Sequence, residues 1–184
     1  MALSKKRPGS KFYELLHKQV RNEFNASHQY VALAVWFDNN DFPQLAKHFY
    51  RQALEERNHA LAIVQYLMDT DHKVEIPGAG EVRNDFARVP ELIELALQQE
   101  KEVKADIETL AKTAREEGDY VGEQFMQWFL KEQVEEISSM HTLLTVALRA
   151  EKENNLFELE NYLHRESVGE GPDSTMPPVA GGAL

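Results

Sequence analysis

The sequence predicts an all-α protein: a four-helix bundle with one long crossover and a short fifth helix. Three observations predict it. Apolar residues recur at helical spacing along nearly the whole 184-residue chain, with no strand-like alternation competing. Proline and glycine divide this pattern into separate segments. The connections between the first and second and between the third and fourth segments are short, whereas the one between the second and third is long.

The first helix runs from about residue 10 to 38 and ends at Asp38-Asn39-Asn40-Asp41. Pro43 suits the first turn of a second helix, which continues to about Thr70. Pro90 likewise opens a third, reaching Glu117, where Gly118 can supply a left-handed C-terminal cap. A fourth runs from about Tyr120 to Glu151 with Asp119 as its cap, and a short fifth from about 154 to 166. Short loops make helices one and two antiparallel, and likewise three and four. The connection at 71–89 has nineteen residues and contains the extended-looking KVEIPG. A helix of about 27 residues is roughly 40 Å long, and nineteen extended residues reach about 60 Å. That connection can run the length of the bundle and start the third helix parallel to the second.

Residues 1–166 are thus expected to form a single domain. The stretch SVGEGPDSTMPPVAGGAL at 167–184, rich in glycine and proline, is expected to be a disordered tail. The fifth helix offers Leu156, Phe157, Leu159, Tyr162 and Leu163. A bundle of four helices has already closed its core, so this surface is expected to pack against other subunits.

Composition narrows the function. With no cysteine, disulfides, thiolate metal sites and a cysteine nucleophile are excluded. The N-terminus MALSKKRPGSKF has no apolar run behind its basic residues, so no signal peptide is expected. No stretch approaches the roughly 20 apolar residues that cross a membrane. A cytoplasmic protein without a membrane partner is the expectation. A net charge of −11 argues against nucleic acid as the main partner and is compatible with attracting cations.

Each long helix carries a polar interruption in its apolar stripe. In the first, Leu16, Val20, Ala34 and Phe37 share a face with Glu23 and Tyr30. In the second, the segment EERNHA places Glu56 and His59 on the face of Phe49, Ala53, Ala60, Ile63 and Leu67. Glu100 interrupts the third helix and Gln133 the fourth. All four interruptions lie near the midpoint of their helix, and midpoints meet at one level in an antiparallel bundle. The sequence therefore predicts a polar layer inside an apolar core. Burying ionised carboxylates costs several kcal/mol each unless they are paired. No lysine or arginine occupies these stripes to pair with them. Divalent cations resolve the conflict: three carboxylates, one imidazole and one amide suit two hard-to-borderline ions such as iron or manganese. The Glu-x-x-His spacing at Glu56 and His59 is a device of bundle di-metal sites. On this reading Glu100→Leu should leave the stability of the metal-free protein unchanged or raise it.

With these residues in place, the chain resembles the ferritins, specifically the haem-free bacterial type found in actinobacteria. The matching stretches are NEFNASHQY at 22–30, PQLAKHFYRQALEERNHA at 43–60, EGDYVGEQFMQWFLKEQVEE at 117–136 and NLFELENYL at 155–163. The resemblance implies a ferritin-like bundle and storage of iron, with Fe(II) oxidised by dioxygen or peroxide at a diiron ferroxidase centre. It implies Glu23, Glu56 and His59 as ligands of a first iron. Glu56 would bridge to a second iron held by Glu100, with Gln133 beside it and Tyr30 close by. Glu55, Glu132, Glu135 and Glu136 resemble the third iron site of bacterial ferritins. A homo-oligomeric shell of 24 subunits filled with ferric oxyhydroxide would follow. Arg57 stands where bacterioferritins place their haem-ligating methionine, so no haem is expected. The competing readings are a DNA-protecting mini-ferritin, to which Lys5, Lys6, Arg7 and Lys11 would lend a basic tail, a diiron oxidase of an organic substrate, and a metal-free partner-binding bundle.

Overall fold

In the computed structural model, residues 9–166 and 175–182 are described. Their helices are α1 (Lys11–Asn39), α2 (Pro43–Asp69), α3 (Val89–Glu116), α4 (Tyr120–Lys152) and α5 (Phe157–Glu166). Local chemistry accounts for the ends. Ser10 Oγ accepts from Tyr13 N at 3.4 Å to cap α1. Glu117, at the end of α3, accepts from Ser10 Oγ and Lys11 N at 2.6 and 2.7 Å, locking two helix ends together. Gly118 takes φ +70° as α3 ends, and Asp119 Oδ1 caps α4 by accepting from Gly122 N at 2.9 Å. The helix α2 opens on Pro43 with no cap of its own. Instead Glu160, reaching across from α5, accepts from Gln44 N and Leu45 N at 2.8 and 3.0 Å, where a carboxylate suits the helix dipole.

Contacts across the bundle give the topology. Asn22 meets Asp106 and Tyr30 meets Glu100, so α1 and α3 are antiparallel. The short α1–α2 turn makes those two antiparallel as well, which leaves α2 and α3 parallel. The crossover is fastened along α1 in register. His17 Nε2 lies 3.1 Å from Lys73 O, Asn25 Oδ1 accepts from Gly80 N at 2.7 Å, and the buried Gln29 amide exchanges two 2.8 Å bonds with the Arg83 backbone.

The apolar core comes in two clusters. One gathers Leu33, Phe37, Leu45, Phe49, Leu92 and Ile93 with Met140 and Leu143. The other gathers Phe12, Leu16, Ile63, Leu67, Ile107 and Leu110 with Met126 and Phe129. Here α4 approaches so closely that a Cβ on Gly122 would lie 2.5 Å from the Phe12 ring. Between the clusters lie Glu23, Glu56, His59, Glu100, Gln133 and Glu136, all buried.

Two expectations change. The fifth helix begins later than expected, because Asn154 turns left-handed at φ 52°. Its apolar face is also mostly used within the subunit: Leu159 and Leu163 are buried in the first cluster, while Phe157 remains 71% exposed. The reason is that α5 packs on both α2 and α4, whose backbones make no close approach and meet through side chains such as the stacked Tyr66 and Phe125. The expected disordered tail falls partly outside the described residues, at 167–174 and 183–184. Residues 175–182 instead lie on the bundle. Ala180 N donates to Leu61 O of α2 at 3.2 Å, Trp128 Nε1 of α4 donates to Thr175 Oγ1 at 3.3 Å, and Met176 and Val179 pack on the second cluster. Two apolar side chains amid the glycine and proline give this segment a surface to bury.

Candidate metal centre

The helical periods carry the polar residues of α1 to α4 to one depth. Three groups of ligand atoms arise there, each with its atoms within 4.8 Å of one another: Glu23, Glu56 and His59; Glu56, Glu100 and Glu136; and His59, Glu132 and Glu136. Every pair of groups shares one residue. The side chains of the first two groups are wholly buried, and Glu132 alone is half-exposed.

Hydrogen bonds set some of these carboxylates and leave others bare. Gln19 Nε2 donates to Glu23 Oε1 at 2.9 Å. Tyr30 donates its hydroxyl to Glu100 Oε1, and Gln133 Nε2 donates to Glu100 Oε2 at 3.2 Å and also to Glu136. By contrast, neither oxygen of Glu56 nor Oε2 of Glu23 accepts a hydrogen bond. His59 Nδ1 lies 3.5 Å from Glu56 Oε2, its ring held edge-on by Trp128 and Phe129.

The electrostatics follow from crowding. Burial, with the charges of Glu100 and Glu23, pushes the Glu56 carboxyl well above its usual range. Burial, then Glu100 and Glu56, do the same to Glu136. Burial also raises Glu100, but the donors on Tyr30 and Gln133 oppose it. For His59, burial alone would lower the pKa, and the surrounding Glu136, Glu23, Glu132 and Glu100 raise it overall. Burial and the nearby Glu100 and Glu56 raise the Tyr30 phenol far above its ordinary value, keeping it a donor. A buried site with clustered carboxylates, one imidazole and bare oxygens facing one another is chemically suited to hard divalent cations.

The ferritin-like domain family matches residues 13–150, most of the chain. The chain belongs to the ferritin family. It is 56% identical to Ferritin BfrB of Mycolicibacterium smegmatis over 175 residues, covering 95% of this chain and 96% of the relative. It is 55% identical to Ferritin BfrB of Mycobacterium tuberculosis over 177 residues, covering 96% and 97%. The bacterial non-heme ferritin of Staphylococcus aureus is 33% identical over 156 residues, covering 85% and 92%.

Against this ferritin frame, the geometry brings together Glu23, Tyr30, Glu56, His59, Glu100 and Gln133 as the sequence pattern suggested. It redistributes the acidic group on α2 and α4. Glu136, expected only at a third iron, also stands with Glu56 and Glu100 in the second group. Glu132 joins the third group through His59. Glu55 is half-buried, is hydrogen-bonded by Gln52, and feels the charges of His59 and Glu132 without joining any group. Glu135 is exposed and joins none. Sequence reasoning missed Gln19, Asn22 and Asp106, whose hydrogen bonds lead from Glu23 to the α1–α3 surface. The available signal was spacing: Gln19 stands four residues before Glu23, one helical turn along the same face.

Proposed function

We propose that this chain stores iron: it oxidises Fe(II) to Fe(III) at the buried centre and, as a homo-oligomeric shell of 24 subunits, holds the product as ferric oxyhydroxide. The observation that carries this reading is Glu56, buried with no hydrogen-bond donor on either oxygen and shared between the first two ligand groups. A carboxylate in that position costs stability unless two cations meet it there. Glu23 and His59 complete one cation site, and Glu100 and Glu136 the other. Hard carboxylates favour Fe(III) over Fe(II), so the ligand set itself draws the reaction forward. Each Fe(II) gives up one electron to dioxygen or peroxide. Within the chain, Tyr30 and Gln133 hold Glu100, and Gln133 also holds Glu136. His59 offers a third, more exposed group with Glu132 and Glu136, which supports a third iron on the α2–α4 side.

One chain by itself supplies three such ligand groups, which favours this reading over one that needs ligands from a second subunit. The name of the S. aureus relative, a non-heme ferritin, supports the expectation of no haem. Among the described residues no helix is long and apolar enough to cross a membrane, in keeping with a cytoplasmic store.

The test is anaerobic loading of purified protein with Fe(II), admission of air, and size-exclusion chromatography with iron staining and a stopped-flow record of oxidation. The expected result is a particle of about 24 subunits that carries stained iron. His59→Ala and Glu56→Ala should slow the fast phase by more than the roughly 10–100-fold typical of supporting residues. A single-subunit mass, or fast oxidation unchanged in both variants, would overturn the reading.

A further inference from the structure

We propose that Gln19 is a positioning residue for the first iron site, set by Asn22 and Asp106 so that Glu23 offers one oxygen to the metal and commits the other to the protein. The proposal rests on the reading of Glu23 as an iron ligand. Gln19 is buried on α1 beside that ligand. Its Nε2 donates to Glu23 Oε1 at 2.9 Å, while Glu23 Oε2 is buried without a partner and belongs to the group with Glu56 and His59.

A glutamine amide can present either end, and here the wrong end would set a carbonyl oxygen against a carboxylate. The neighbouring residues decide which end faces Glu23. Asn22 Nδ2 donates to Gln19 Oε1 at 3.1 Å, which claims the carbonyl end and leaves the amide nitrogen for Glu23. The same Asn22 nitrogen donates to Asp106 Oδ2 of α3 at 2.8 Å. An ionised Asp106 can only accept, so it requires a nitrogen from Asn22. Lys18 Nζ lies 3.8 Å from the other oxygen, Asp106 Oδ1. Orientation thus passes from a surface carboxylate through two amides to a buried ligand, with donor and acceptor alternating correctly at each step. Outer partners of this kind orient metal ligands, and their loss typically costs 10–100-fold in affinity.

The experiment titrates full-length metal-free protein with Co(II) chloride, reading dissociation constants and the visible Co(II) absorption. Native protein, His59→Ala, Gln19→Leu, Asn22→Asp and Asp106→Ala are compared. Asn22→Asp keeps the shape of Asn22 but replaces its donor by an acceptor, so it tests the relay even if Gln19→Leu fails to fold. Gln19→Leu and Asn22→Asp should weaken the tighter Co(II) site roughly 10–100-fold and change its absorption. Asp106→Ala should do so less, because it removes only the outermost constraint. If native protein binds no Co(II), or His59→Ala binds it as native does, the metal-centre reading itself fails. If those two behave as read but Gln19→Leu or Asn22→Asp matches native in both affinity and spectrum, the relay is overturned and the metal centre stands.

Discussion

The two flanks of the buried polar layer are built differently. On the α1–α3 flank the carboxylates have protein donors: Gln19 on Glu23, and Tyr30 with Gln133 on Glu100. On the α2–α4 flank the helix backbones make no close approach, and Glu56 has no donor for either oxygen. The consequence is visible in the proton affinities. Burial raises Glu100, with the Tyr30 and Gln133 donors working against it, whereas burial and neighbouring charge drive Glu56 well above the usual carboxylate range. On the first flank only Glu23 Oε2 lacks a donor, whereas on the second Gln133 serves Glu136 and Glu56 has none. Glu56 is left for protons or cations to complete, on the flank where the third ligand group reaches toward solvent through Glu132.

The comparison breaks most directly by removing one carboxylate from each flank in metal-free protein. Glu56→Leu should raise stability by up to about 4 kcal/mol, because it replaces a buried acid that has no hydrogen-bond donor with apolar volume. Glu100→Leu should lower it by about 1–3 kcal/mol, since the buried Tyr30 hydroxyl and Gln133 amide lose their acceptor. The sequence alone suggested that Glu100→Leu would be neutral or stabilising. The donors on Glu100 reverse that sign and move the relief to Glu56. Urea unfolding within one assembly state, because assembly itself stabilises the subunit, reads both. Equal effects of the two substitutions would erase the distinction between the flanks.

The two buried histidines of α2 sharpen it through pH. The carboxylates around His59, led by Glu136, raise it overall against the lowering by burial, so its contribution is full below the unfolded value of about 6.5 and is lost as pH rises through the folded value. Glu56, Glu100 and Glu136 act in the same direction, costing stability as pH climbs from about 4.5 through their raised values. His48 is opposite. Burial and then Arg51 lower it to about 4, and neither ring nitrogen has a partner. It costs nothing above 6.5, and stability is lost as pH falls from there toward 4. Replacing His48 with Leu should therefore recover on the order of 3 kcal/mol at pH 4 and little at pH 7.5. Metal-free native protein and His48→Leu unfolded at both pH values give the difference. A gain that is the same at both values would rule out His48 as the acid-sensitive group.

Much of this was legible in the sequence because helical period translates directly into depth. Glu23, Glu56, His59, Glu100 and Gln133 announced themselves as charges and amides where leucine belongs, and loop lengths brought them to one level. The dual place of Glu136 was not legible, because it depends on how α4 sits against both α2 and α3, which no pattern within one helix encodes. Tyr30 and Gln133 were expected near Glu100, but that both donate to its carboxylate depends on the register of α1 and α4 against α3. Within the expected tail, the packing of residues 175–182 was not legible from composition, where glycine and proline outweigh Met176 and Val179. They pack on the second cluster, along the seam between α2 and α4.

The seam between α2 and α4 is covered by different means at its two ends, and the smallest expected effect tests the weaker cover. Toward the start of α2, a whole helix covers it: α5 buries Leu159 and Leu163 and supplies Glu160 to the α2 terminus. Toward the end of α2, residues 175–182 cover it with partly buried side chains and the bonds to Leu61 and Trp128. Ending the chain after Glu166 should cost only about 1–2 kcal/mol, since each such hydrogen bond nets roughly 1 kcal/mol and chain entropy is regained. The local signal should be clearer than the global one. Trp128 touches His59, so uncovering it should shift its emission to the red and alter the fluorescence change on Co(II) binding. Trp36 is the other tryptophan, and a Trp36→Phe background isolates the signal. The Glu56 and Glu100 effects should survive truncation unchanged, because the flank difference arises within α1 to α4. A truncated chain with native Trp128 emission would mean that the segment does not cover this end in solution, whereas loss of Co(II) binding on truncation would make it part of the centre.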